Sequence, residues 1–144
     1  MHVVCLILWF CVYAFTDCKP TLTPSKGIKV YVFDRASFYE FTWNYNTDGL
    51  TIKEVDLKYV GTGNNDITVA RRTQSNTQLQ VNPASSYSGR ISFSGSLSGN
   101  EGQITFRISN IDQSDSRIFK CDLSFTTFSP PNVQSSVELV VVGK

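Results

Sequence analysis

An all-β sandwich of about nine strands is the fold class this sequence predicts, on three observations. Short runs rich in Val, Ile, Phe, Tyr and Thr alternate apolar with polar residues. Clusters of Gly, Asn, Ser and Pro separate these runs at the spacing expected of turns between short strands. Helical periodicity is nearly absent.

Residues 1–18 stand apart from this pattern. An uninterrupted apolar run from Val3 to Phe15 is shorter than the ~20 residues a membrane helix needs and suits the apolar region of a secretory signal peptide. Residues 1–18 are therefore expected to be a signal segment, 19–27 a leader holding Pro20 and Pro24, and 28–143 one domain. The first strand is expected at 28–33. The second, at 38–45, puts Tyr39, Phe41 and Trp43 on one face. After a turn at 46–49, a strand at 51–60 points Val55, Leu57 and Tyr59 inward and Asp56 and Lys58 outward. Strands at 67–72 and 78–81 follow a polar turn at 61–65. Residues 90–94 carry Ile91 and Phe93 on one side. A glycine-rich hairpin at 96–102 leads to 103–109, with Ile104, Phe106 and Ile108 inward. Strands at 117–125 and 136–142 close the fold. The end at Leu139–Lys144 looks like a last strand cut at its boundary, so the first domain of a longer receptor is expected, a released protein being the alternative.

Composition excludes several function classes. The chain carries 13 Lys and Arg against 12 Asp and Glu, a net charge of +1, which gives no electrostatic reason to expect nucleic acid or an anionic membrane as partner. The one histidine, His2, falls in the signal segment. A Ser-His-Asp or Cys-His site and a His-based metal site are thereby excluded, and no enzyme activity, metal, cofactor or small-molecule substrate is expected. None of the asparagines begins an Asn-X-Ser/Thr sequon, so both sheet faces are expected to be free of N-linked glycan. Cys5 and Cys11 leave with the signal segment and Cys18 sits at its end, so Cys121 is the one certain cysteine of the domain. A buried thiol and a bridge to Cys18 both stay open.

One segment carries more specific information: Phe106-Arg107-Ile108-Ser109-Asn110-Ile111-Asp112-Gln113-Ser114-Asp115-Ser116-Arg117-Ile118-Phe119-Lys120-Cys121. With Gly89-Arg90-Ile91-Ser92-Phe93-Ser94-Gly95 upstream, it resembles the D, E and F strands of variable-type immunoglobulin domains, over about residues 28–143. The resemblance implies a nine-stranded sandwich and an ion pair between Arg90 and Asp115. This chain departs from that pattern in an informative way. In Phe41-Thr42-Trp43-Asn44-Tyr45-Asn46-Thr47, Trp43 takes the place of the first disulfide cysteine, and Val55 or Leu57 stands where the family keeps its core tryptophan. The usual inter-sheet disulfide is therefore expected to be missing. Trp43, Leu57, Phe106, Ile108, Phe119 and Cys121 are the expected core, with Trp43 filling the volume and Cys121 acting as a small apolar residue.

Variable-type domains bind partners through the sheet that holds strands C and F, so the resemblance points to Asp56, Lys58, Lys120 and Asp122 as an outward, mixed-charge binding face. Phe128, Pro130 and Pro131 on the following loop are the second candidate, an aromatic side chain on a stiffened backbone. The Phe41-Thr42-Trp43-Asn44-Tyr45 strand also resembles those of invertebrate, especially cnidarian, surface immunoglobulin-like proteins, among them the hydroid allorecognition receptors, which bind like with like between cells. The leading expectation is an extracellular recognition or adhesion ectodomain that engages a protein on an apposed cell, a copy of itself included. A freestanding secreted immune-type binder and an auxiliary subunit of a membrane channel or receptor are the alternatives.

Overall fold

The structure, a computed structural model, describes residues 19–127 and 132–143. The signal segment expected at 1–18 and the loop residues Phe128, Pro130 and Pro131 lie outside them. Ten strands occur among the described residues: β1 (Thr21–Pro24), β2 (Lys29–Phe33), β3 (Phe38–Asn46), β4 (Ile52–Val60), β5 (Asp66–Thr73), β6 (Gln80–Val81), β7 (Ile91–Gly95), β8 (Glu101–Ser109), β9 (Arg117–Phe125) and β10 (Val133–Val142). They form a four-stranded sheet in the order β1-β3-β8-β7 and a six-stranded sheet in the order β2-β10-β9-β4-β5-β6. Strand β2 joins β10 in parallel, and the other neighbours pair antiparallel.

The segment expected as a leader contributes β1, which pairs Leu22 with Tyr45 and buries its side chain. Its four residues, which follow Pro20 and end in Pro24, carry too little alternation to announce a strand. The chain then crosses from one sheet to the other at Ser25–Ile28, where the Ser25 N–H still donates to Thr42 in the first sheet and the Ile28 carbonyl accepts from Glu138 in the second.

Inward side chains of the two sheets make one core. Trp43, Leu57, Phe106, Ile108, Phe119 and Cys121 are all fully buried within it. Cys121 is a free thiol, and Leu57 lies directly opposite it on the neighbouring strand. No bridge ties the sheets together at this level. Rings do so instead: Phe41 of β3 stacks on Trp43 at 5.9 Å and meets Phe119 of β9 at 4.7 Å, centroid to centroid. Phe119 in turn meets Tyr87 edge-on at 5.8 Å. Such pairs add about 0.5–1.5 kcal/mol each beyond the area they bury, comparable in sum with the ~2–5 kcal/mol of a native disulfide. The substitution has a cost, because the Trp43 Nε1–H is buried without an acceptor among the described residues.

Tyr87 is a core residue that alternation does not reveal. It sits between β6 and β7 in a stretch rich in Ser and Gly, yet it is fully buried. Arg90 and Arg117 lie over its ring at 5.4 and 5.8 Å. Burial pushes its phenol above the ordinary tyrosine pKa.

The turn into β9 is pinned by charge. The Arg90 guanidinium donates to Asp115 at 2.6 and 3.4 Å, and also to the Ser109 and Asn110 carbonyls. Asp115 is 1% exposed and accepts from the Asp112 N–H, closing a capping box over the short 3₁₀ turn Gln113–Asp115. Asp112 in turn accepts from the backbone and hydroxyl of Ser114, which holds its carboxyl below the usual aspartate pKa.

Candidate functional site

Strand alternation turns Glu54, Asp56, Lys58 and Val60 of β4 outward, with Ile118, Lys120, Asp122 and Ser124 of β9 beside them. The pairing register sets like against like: Asp56 lies opposite Asp122, and Lys58 opposite Lys120. Directly opposed like charges are unfavourable, so each must find its counterion elsewhere. Lys58 reaches diagonally to Asp122 at 2.7 Å. Arg71 of β5 forks onto Asp56 with two hydrogen bonds of 2.7 and 2.8 Å. Lys120 crosses β4 to Asp66 at 2.8 Å. A row of two lysines thus lies beside a row of two aspartates, with outer partners at both ends.

The four residues anticipated from the alternation are brought together on one face, but they are not free charges. Asp56 is 5% exposed and Asp122 9%, because their partners lie across them. Burial works against the Lys58 ammonium, yet its hydrogen bond to Asp122 and the nearby Asp56 and Asp66 carboxylates outweigh it and raise its pKa above the ordinary lysine value. The second Asp122 oxygen, Oδ1, is buried with no hydrogen-bond partner among the described residues. The participation of Arg71 and Asp66 was not foreseen. Arg71 lies directly opposite Asp56 in the β4–β5 register, whereas Asp66 lies beyond a shift between Leu57 and Lys58, and an irregularity of that kind leaves no mark in residue periodicity.

Beside this block, at the β2 and β10 margin of the same sheet, the surface changes character. Tyr31 and Phe33 are 67% and 66% exposed, and Val142 and Ile118 about two-fifths exposed. Tyr31 pairs with Val140 and Phe33 with Val142, so the apolar side chains share the outward face. Lys29 and Glu138, 3.1 Å apart, border them. The outer face of the four-stranded sheet is different again, with neutral pairs such as Thr42 with Thr105 and Asn44 with Gln103 at its middle and Glu40 opposite Arg107 toward one end.

Among the described residues no group of three or more His, Cys, Asp or Glu could hold a metal ion, and no helix is long and apolar enough to cross a membrane. Two open depressions of about 450 and 470 Å³, one along Tyr59, Ile67 and Arg117 and the other along Thr23, Tyr45 and Glu101, contain no nucleophile paired with a base. Cys121, the one described thiol, is held neutral by burial well above its ordinary pKa.

Comparison with solved structures decides the fold. The structure of murine CRIg, an immunoglobulin-like domain, is similar with a TM-score of 0.67 at 20% identity, covering 86% of this chain and 98% of that one. The fold is that of a variable-type immunoglobulin domain. In its strand lettering β1 and β2 are the two halves of strand A, β3 is B, β4 to β6 are C, C′ and C″, and β7 to β10 are D to G. No family model matches the chain, and no curated protein does. In all, 1965 solved chains match this fold, which is too widely shared to specify a ligand.

Proposed function

We propose that this chain is an extracellular recognition domain which binds a protein on an apposed cell through the outer face of its six-stranded sheet, a copy of itself being the first partner to test. The observation that carries the reading is the pair of adjacent charged rows, Lys58 with Lys120 and Asp56 with Asp122. A two-fold axis between the rows sets the lysine row of one copy over the aspartate row of the other, so that charges already paired within each copy gain a second opposite row across the contact, as an isologous contact requires. The side chains are already held in place by their ion pairs, so little conformational freedom is lost on docking. Supporting this reading are the resemblance of the Phe41–Tyr45 strand to hydroid like-with-like receptors and a sequence without sequons that would place glycan on either face.

The test is two-colour aggregation of non-adherent cells that display the domain on a membrane anchor. Bearing cells are expected to cluster with each other and to ignore bare cells, and Lys120→Glu is expected to abolish the clustering while the displayed protein stays folded. Single cells with folded protein on their surface would remove the like-with-like reading.

A further inference from the structure

Four strands form the edges of the two sheets, and three of them are protected. β6 has two residues, β1 ends in Pro24, and β7 turns serines outward and ends at Gly95. Short strands, prolines and polar side chains are the means by which proteins keep sheet edges from pairing with other chains. β2 has none of them beyond Lys29 at its start. Its sequence, Lys29-Val30-Tyr31-Val32-Phe33, follows one lysine with four strong strand formers and has neither proline nor bulge. Val30 and Val32 pack against the core, leaving Tyr31 and Phe33, two-thirds exposed, on the outer face. Among the described residues no strand lies on the side of β2 away from β10.

We infer that β2 pairs with the β2 strand of a second copy, antiparallel across a two-fold axis at Tyr31, joining two six-stranded sheets into one. A second copy fits this edge on chemical grounds. In that register Tyr31 meets its own mate, and Lys29 of each copy faces Phe33 of the other. The ammonium that now lies 5.9 Å from its own Tyr31 ring thereby gains a second aromatic face. Val140 and Val142 continue the apolar contact from β10. A chain of net charge +1 repels its copy only weakly. A five-residue edge makes a small contact, so a weak, reversible dimer is expected. It is a side-by-side contact, separate from the charged face and independent of what that face binds.

The experiment is sedimentation velocity on the chain purified from a secretory host, from about 1 to 200 µM, with reductant present so that no thiol can link two chains. A reversible monomer–dimer equilibrium is expected. Tyr31→Asp should weaken it at least tenfold with an unchanged melting temperature, and Tyr31→Phe should retain it. A monomer throughout the range, or a dimer untouched by Tyr31→Asp, overturns the inference.

Discussion

The centre of the six-stranded sheet and its β2 margin share a face, a few strands apart, and treat their side chains in opposite ways. In the centre, Asp56, Lys58, Lys120 and Asp122 are each engaged by a neighbour, and the two aspartates are largely covered. At the margin, Tyr31 and Phe33 touch little and remain two-thirds exposed. Outward direction along a strand is therefore a poor guide to availability. Charges that look free in the sequence are part of what holds the sheet together, and the side chains with unspent contact area are apolar ones that alternation alone does not separate from the core.

The largest expected effect lies beneath the centre, where rings stand in for the disulfide. Trp43→Ala should lower unfolding free energy by about 3–5 kcal/mol, enough to unfold a marginal domain, as read from denaturant midpoints. Trp43→Phe should cost much less, since it removes a buried N–H that has no acceptor. Next comes the charged centre. Arg71→Ala leaves the buried Asp56 carboxylate without its fork and should cost about 2 kcal/mol, below the range for a wholly buried pair because Arg71 is itself 43% exposed. A loss under half of that would mean that the central charges are as loosely held as the margin.

A pH series gives a smaller effect from the same layer. An unfolded cysteine thiol ionises near ~8.5, whereas burial keeps the Cys121 thiol protonated well above its ordinary value. A folded pKa raised in this way leaves stability intact below pH ~8.5 and erodes it as pH rises toward the folded value, because the unfolded chain then binds fewer protons. The loss should reach about 1.4 kcal/mol at pH 9.5. It should be absent from the pH 7.5 to 9.5 difference of Cys121→Ala, measured by denaturant unfolding under reductant. The smallest effect belongs to the margin: Tyr31→Thr and Phe33→Thr should each leave monomer stability within about 0.5 kcal/mol of the parent.

Much of this architecture was legible in the sequence, because period-two alternation and the Arg90 to Cys121 pattern are local signals. Strands β3, β4 and β9 lie within a residue or so of where the alternation places them. What was not legible depends on register and on neighbours. β1 is too short and too proline-flanked to alternate, and Tyr87 reaches the core from a turn. The counterions of Asp56 and Lys120 come from β5, and which of its residues fall beside them depends on a strand pairing that periodicity does not encode. In Lys29–Phe33 only Lys29, at the strand's start, marks the Tyr31 and Phe33 face as the outward one, which is a faint signal beside four apolar residues.

Amide hydrogen exchange, followed strand by strand at low and high chain concentration, tests the contrast between centre and margin most directly. The expected result is strong protection in β4 and β9 at every concentration, with protection in β2 that rises as the chain becomes concentrated. Exchange in β2 that ignores concentration, or β4 and β9 amides that exchange as fast as those of β2, would contradict it.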